Sequence, residues 1–258
     1  MRSRINHERL LGVRIGIIFI FFLICILFSG NKVAGASISE AEPNDSSKQA
    51  NPIAIGQDVY GSSGAYNRDW FRFVPPISGN VKLYVWCTGA DVNPDRVHGV
   101  AVDVYDVNKD DISYNNCVND DEVTPKTSIF AVQSGNIYYV RARNDSRYDN
   151  TYYHFKLEYS IDRTKIKKVK GGKKKFTVTW AKNAKASFYQ IQYTKKSVFD
   201  DYGWNRASVI TVSSNNKSKT IKKLAKKKPY FVRVRVARNI QGIVYYSPWS
   251  QRKTVKTK

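Results

Sequence analysis

Short runs of alternating apolar and polar residues, separated by turn clusters, constrain this chain more than any other feature. "NVKLYVWC" puts Val81, Leu83, Val85 and Cys87 on one face, and "GVAVDVYDV" does the same with Val100, Val102 and Val104. "DWFRFV", "TSIFAV", "NIYYVRAR" and "YYHFKLEY" repeat the pattern, and "PPISGN" and "QSGN" lie between such runs. Successive side chains of a strand point to opposite faces, so period two marks half-buried strands, and turn signals at this spacing mark an antiparallel sandwich. The later part repeats the pattern in "TKIKKV", "KFTVTWA", "FYQIQYT", "ASVITV", "KSKTIKK", "YFVRVRVAR" and "IVYYSPWSQRKTV". Seven short strands in so short a stretch fit an immunoglobulin-like sandwich. Neither half carries a helical period of useful length. The expected fold is all-β, two consecutive β-sandwiches with almost no helix.

Charge divides the chain where the strand pattern does. The net charge of +22 conceals 11 Lys/Arg against 17 Asp/Glu in residues 37–161, and 27 Lys/Arg against 3 Asp in residues 162–258. A domain boundary is therefore expected near Asp162, with different partners for the two halves. Residues 1–36 read as a signal peptide. Arg2, Arg4, Arg9 and Arg14 precede "IGIIFIFFLICILF", and "VAGA" then sets Ala34 and Ala36 for cleavage. The 14-residue apolar run is short of the ~20 needed to span a bilayer. Cys25 follows Ile24 rather than a small residue, which argues against a lipoprotein anchor. The mature protein is expected to be secreted, extracellular or cell-wall associated, with no membrane span after cleavage. It keeps Cys87 and Cys117. A disulfide between them would contribute about 3.5 kcal/mol on the chain-entropy account; two reduced thiols are the equal alternative. Zinc is not expected from two separated cysteines without paired histidines.

Trp180 late in one strand, Tyr193 in the next, Leu224 and Tyr230 leading into "VRVRV", and the closing "YYSPWS" resemble a fibronectin type III domain over residues 163–256. The resemblance implies a tyrosine corner in which the Tyr230 hydroxyl bonds backbone. It speaks to fold and not to function. The stretch "EAEPNDSSKQANPIAIGQDVYGS", followed by "NRDWFRF", resembles the bacterial pre-peptidase C-terminal domain over about residues 40–160. That family is a jelly-roll-like sandwich usually appended to secreted peptidases. In relatives its acidic segment binds calcium, and those ligands map onto Glu40, Glu42, Asn44 and Asp45. The acid before the family's W-F is matched by Asp69. Asn67 stands where a second acid is usual and Arg68 adds a positive charge, which weakens the expected affinity.

The chemistry suits calcium, which takes about six to eight oxygen ligands. Asn67, Asp69 and Ser62 or Ser63 would add oxygens to the four from the acidic segment. On composition alone the same segment reads as a solvated, disordered linker. "DVNKDDISYNNC" opens like an EF-hand loop, but Asp111 stands where Gly is required and Cys117 where Glu is required, and it is rejected. "NDDE" at 119–122 reads as a solvated loop.

Nothing nominates an enzyme. The mature chain has only His98 and His154, and it lacks nucleophile-elbow, zincin, phosphate-loop and Cys–His signatures. A secreted or cell-surface binding or adhesion module is expected. The alternative is an accessory targeting or stabilising subunit, or a spacer, for a separate secreted hydrolase. Lys173, Lys174 and Lys175 lie in "KGGKKK"; Lys226, Lys227 and Lys228 lie in "LAKKKP", with Lys222 and Lys223 just before. The fibronectin type III resemblance puts these two loops at one pole, where a third loop begins with Lys195 and Lys196. An anionic cell-envelope polymer, or an extracellular-matrix or glycan ligand, is the expected partner; nucleic acid is not. Tyr148, Tyr152, Tyr202 and Trp204 fall near loops, either to stack on a ligand or to fold back as lids.

Overall fold

The computed structural model describes residues 37–89, 99–118, 124–144, 151–195 and 202–258. The signal-peptide reading falls on residues 1–36 and lies outside them. No helix among the described residues is long and apolar enough to cross a membrane.

Among the described residues, ten strands build two five-stranded sheets in the first half. One has β1 (Ser37–Ser39), β3 (Asp58–Ser63), β10 (Thr151–Tyr159), β5 (Gly79–Gly89) and β8 (Lys126–Val132), in the order β1-β3-β10-β5-β8. The other has β2 (Asn51–Pro52), β4 (Arg68–Phe73), β9 (Tyr138–Arg143), β6 (Gly99–Tyr105) and β7 (Asp111–Val118), in the order β2-β4-β9-β6-β7. Pairing is antiparallel except that β1 runs parallel to β3 and β2 parallel to β4. The chain changes sheet at nearly every strand, and the order β3-β10-β5-β8 over β4-β9-β6-β7 is a jelly roll, two interlocked Greek keys.

The alternation explains the core. Along β10, Tyr153, Phe155, Leu157 and Tyr159 are buried while Tyr152, His154, Lys156 and Glu158 face outward. They meet Phe71, Phe73, Val81, Leu83 and Val85 from the neighbouring strands. β6 departs from the pattern and is buried from Val100 through Tyr105. Its outward Asp103 accepts from Arg141 Nη2 at 2.6 Å, Arg143 Nε at 3.1 Å and the Tyr105 hydroxyl at 3.1 Å. Paired in this way, a buried charge is tolerated. Cys87 is buried and disulfide-bonded; Cys117 lies opposite Val100 in β7, and its side chain lies outside the described residues.

The second sandwich packs the three-stranded sheet β11 (Ile166–Gly172), β12 (Lys175–Trp180), β15 (Ser218–Ile221) on the sheet β14 (Ser208–Ser213), β13 (Phe188–Thr194), β16 (Pro229–Ile240), β17 (Ile243–Tyr246). β18 (Lys253–Lys256) pairs with the start of β16. Phe176, Val178, Trp180, Tyr189, Ile191, Val232, Val234 and Val236 fill the space between. The Ala225 N–H donates to the Tyr230 hydroxyl at 3.0 Å beside buried Leu224, a tyrosine corner. Pro248 interrupts the strand pairing with β16, and there Ser247 and Ser250 hydroxyls accept from the Val236 and Val234 N–H groups, each at 3.0 Å. The one helix among the described residues, α1 (Tyr202–Asn205), is a single turn.

The described residues form one compact unit. The Tyr245 hydroxyl donates to the Ile55 carbonyl at 3.1 Å, and its ring meets Tyr159 edge-on at 5.4 Å, tying the end of the second sandwich to the first.

Candidate functional site

The acidic segment is laid along the first sandwich. Pairing of β1 with β3 continues through the Glu40 N–H, which donates to the Tyr60 carbonyl at 2.9 Å. Asn51 clamps the following bend, accepting from the Ala41 N–H at 2.8 Å and donating to the Ala41 carbonyl at 2.9 Å. The Trp70 N–H then holds the Asn44 carbonyl at 2.9 Å. These bonds bring Glu40 and Glu42 to the start of β4. Carboxylate oxygens of Glu40, Glu42 and Asp69 lie within 4.8 Å of one another.

The cluster runs from an exposed Glu42 through a half-buried Glu40 into the core. Asp69 is fully buried. Its burial, then the Glu40 charge beside it, push its carboxyl up to about 8. Tyr153 reaches in from β10 with its hydroxyl 2.8 Å from both Glu40 Oε2 and Asp69 Oδ2. One phenolic proton serves one oxygen at a time, so two carboxylates compete for it. Burial pushes the Tyr153 phenol strongly up, which keeps it a donor. Gly61 makes this reach feasible: a Cβ there would run into the Tyr153 ring and hydroxyl. Asn44 adds a further sign of a site. It is fully buried, and its side-chain oxygen Oδ1 has no hydrogen-bond partner. Its own N–H donates to Glu42 Oε2 at 2.9 Å. The three clustered carboxylates are hard-oxygen donors suited to a divalent cation such as calcium.

The other sequence-nominated residues fall around this cluster. Asp45 is exposed and is not one of the three clustered acids. Asn67 donates to Asp69 Oδ1 at 2.8 Å while its own oxygen accepts from the Arg68 N–H at 2.8 Å, so it orients Asp69. The Ser62 N–H donates to Glu40 Oε1 at 2.7 Å, and the Ser63 hydroxyl turns to the Asn67 carbonyl. Nothing in the sequence alone singles out Tyr153, Asn51 or Gly61. Of the loop aromatics, Trp204 is buried under the Arg233 guanidinium at 4.1 Å, a lid, whereas Tyr152 is exposed. Tyr148 and the Tyr202 side chain lie outside the described residues, as do His98 and residues 119–122. His154 lies between the rings of Tyr60 and Trp86 and bonds Asp58 at 2.8 Å.

A second charged feature sits at the far end of the second sandwich. The Leu224 N–H donates to the Lys174 carbonyl at 3.0 Å, joining the β11–β12 turn to the β15–β16 loop. The terminal segment ties in both. Lys258 N–H bonds the Gly172 carbonyl at 2.9 Å, and the Thr257 hydroxyl bonds the Ala225 carbonyl at 2.7 Å. Gly171 permits this approach, since a Cβ there would collide with the Lys256 carbonyl oxygen. Lys173, Lys174, Lys175, Lys222, Lys223, Lys226, Lys227, Lys228, Lys256 and Lys258 are all exposed here. Lys174, Lys223 and Lys227 hold positive φ angles of 51°, 59° and 56°. That conformation favours glycine or asparagine over lysine. Lys195 is exposed at the end of β13, and Lys196 lies outside the described residues.

No family model matches the chain, and no curated protein matches it. Among solved structures it is similar to the fibronectin type III domain of human contactin 1, at 20% identity over 38% of this chain and 78% of that one, with a TM-score of 0.31. A myokine structure matches at 22% identity over 38% of this chain and 97% of that one, with a TM-score of 0.29. A β-1,2-glucanase from Parabacteroides distasonis matches at 9% identity over 78% of this chain and 32% of that one, with a TM-score of 0.31. None of the three likenesses bears on what this chain binds.

Proposed function

We propose that this protein is a secreted or cell-surface, non-catalytic binding module, attracted to an anionic envelope polymer through its second sandwich and stabilised by calcium in its first. The observation that carries the binding reading is the lysine pole. Two loops and the terminal segment are hydrogen-bonded into one surface, and among the described residues no acid pairs with its lysines. Crowded like charge opposes folding and favours a polyanionic partner. Outside a cell, teichoic acid or an acidic glycan supplies such charge at high density. The calcium reading rests on the Glu40–Glu42–Asp69 cluster and the unpartnered Asn44 Oδ1, and the jelly-roll strand order supports kinship with pre-peptidase C-terminal domains. We assign Cys117 as the disulfide partner of Cys87.

Binding to purified wall polymer tests the first part. Affinity should fall steeply between low and physiological salt, where exposed charges are screened beyond about 8 Å. Replacing Lys173–Lys175 and Lys226–Lys228 by Gln should weaken binding by roughly tenfold or more. Six Lys/Arg→Gln changes elsewhere on the same sandwich should do much less; equal losses would show that only net charge matters. Calcium at one hundred times its dissociation constant should stabilise the protein by about 2.7 kcal/mol, and Glu42→Ala should remove most of that gain. The spacer reading draws on one feature, the Tyr245–Ile55 tie that joins the sandwiches. Co-purification with a secreted hydrolase, without retention on wall polymer, would favour it.

A further inference from the structure

We propose that the cleft between the two sandwiches binds a small monovalent oxyanion, a carboxylate or a phosphate diester, on the guanidinium of Arg238. The cleft has a volume of about 120 Å3. Liquid water occupies ~30 Å3 per molecule, so this is room for about four waters or one small polyatomic anion. Both sandwiches supply its walls: Asn80, Tyr159 and Ser160 on one side, Lys185 and Arg238 on the other. The Tyr245 hydroxyl bond to Ile55 and the Tyr159–Tyr245 edge contact hold the two walls together.

Arg238 is the reason to expect an anion. It is half-buried on β16, close enough to Tyr159 for its charge to act on that phenol. Among the described residues its guanidinium makes no hydrogen bond or ion pair. A guanidinium carries five N–H donors in a planar fork, and leaving it partly desolvated and unpaired is unfavourable. Beside it the exposed Asn80 amide and the half-buried Ser160 hydroxyl have no side-chain partner among the described residues and can turn to a ligand. The Ser160 N–H donates to the Asn80 carbonyl at 2.9 Å, which fixes those two residues on one wall. Lys185 is exposed at the rim, and so is one acid, Asp162. Two cations against one carboxylate favour a monoanion over a dianion. A carboxylate or a phosphodiester presents two oxygens to the guanidinium fork, the geometry in which such bonds are strongest. The site is independent of the lysine pole, which occupies the other end of the same sandwich.

Acetate and dimethyl phosphate, titrated separately into the isotope-labelled protein at constant ionic strength with chloride as balance, test this by amide chemical shift. Saturating shifts at Asn80, Ser160 and Arg238 are expected with at least one of them. Saturation by acetate alone would mark the ligand as a carboxylate, and saturation by dimethyl phosphate alone as a phosphodiester. Arg238→Gln should weaken binding by about tenfold or more, and Arg238→Lys, which keeps the charge without the fork, by a smaller factor. Replacing Lys226–Lys228 by Gln should leave the dissociation constant unchanged, so the cleft can fail without the pole failing, and the reverse. Shifts that stay linear to the end of both titrations, or an unaltered dissociation constant in both Arg238 variants, would overturn the proposal.

Discussion

The carboxylate cluster of the first sandwich and the lysine pole of the second both crowd like charges, and the protein handles them in opposite ways. Asp69 is buried, so its charge must be met locally: by the Tyr153 proton, by a proton of its own, or by a cation. The pole lysines are exposed, so water and salt screen them. Buried crowding therefore selects one small partner at fixed geometry. Exposed crowding selects a class of large partners by charge density alone. The difference also fixes how each site responds to conditions, since pH and divalent cations act on the first while ionic strength acts on the second.

The largest expected effect breaks the first site by pH. Asp69 is raised to about 8 in the folded protein from an ordinary value of 3.8. The folded state thus binds a proton that the unfolded state has already released. Stability is fully present below the unfolded value and is lost as pH rises towards 8, at a slope on the order of 1 kcal/mol per pH unit at most. Chelated protein should melt at progressively lower temperature from pH 5 to pH 8, and calcium should flatten that slope. Asp69→Asn should remove both the slope and the calcium response. A chelated wild type whose melting temperature rises over that interval would show that the cluster is not crowded in solution.

Much of this molecule was legible as strand phase. β10 alternates as "YYHFKLEY" predicts, and Leu224 with Tyr230 makes the corner that the fibronectin type III resemblance implies. Phase also hid what mattered at the site. Tyr153 occupies a buried position of β10, where any aromatic reads as core, and only the fold brings its hydroxyl to Glu40, 113 positions away in sequence. Asp45 and Glu42 are equally acidic in sequence; the bend clamped by Asn51 decides which joins the cluster. The Asp103 pairing with Arg141 and Arg143 buries both faces of β6, which alternation alone does not foretell. The junction was illegible for the same reason, since Ile55 and Tyr245 are 190 positions apart.

The second prediction breaks the pole without touching its charge. Gly171→Ala places a methyl group against the Lys256 carbonyl oxygen. Overpacking of this kind costs about 1–3 kcal/mol. It should also push the terminal segment away from the β11–β12 turn. Every lysine remains, so a reading based on net charge expects unchanged binding to wall polymer. The assembled-surface reading expects binding to weaken several-fold at low salt. Measuring both in the same buffer separates them, with the melting temperature reporting that the variant is folded.

The smallest effect sharpens the comparison from the backbone side. Lys227 and Gln241 both hold positive φ, at 56° and 50°, and both are exposed, but only Lys227 belongs to the pole. Glycine relieves the left-handed strain of about 1 kcal/mol at such a position and loses part of the gain to the greater freedom of its unfolded chain. Lys227→Gly and Gln241→Gly should therefore each raise stability by a few tenths of a kcal/mol, which is about 1–2 °C in melting temperature for a protein of this size. Their effects on polymer binding should diverge: a modest loss for Lys227→Gly and none for Gln241→Gly. A lysine kept where glycine is more stable is then retained for what it binds. Equal stability gains with no loss of binding in either variant would mean that Lys227 sits in its strained turn for no reason connected with the pole.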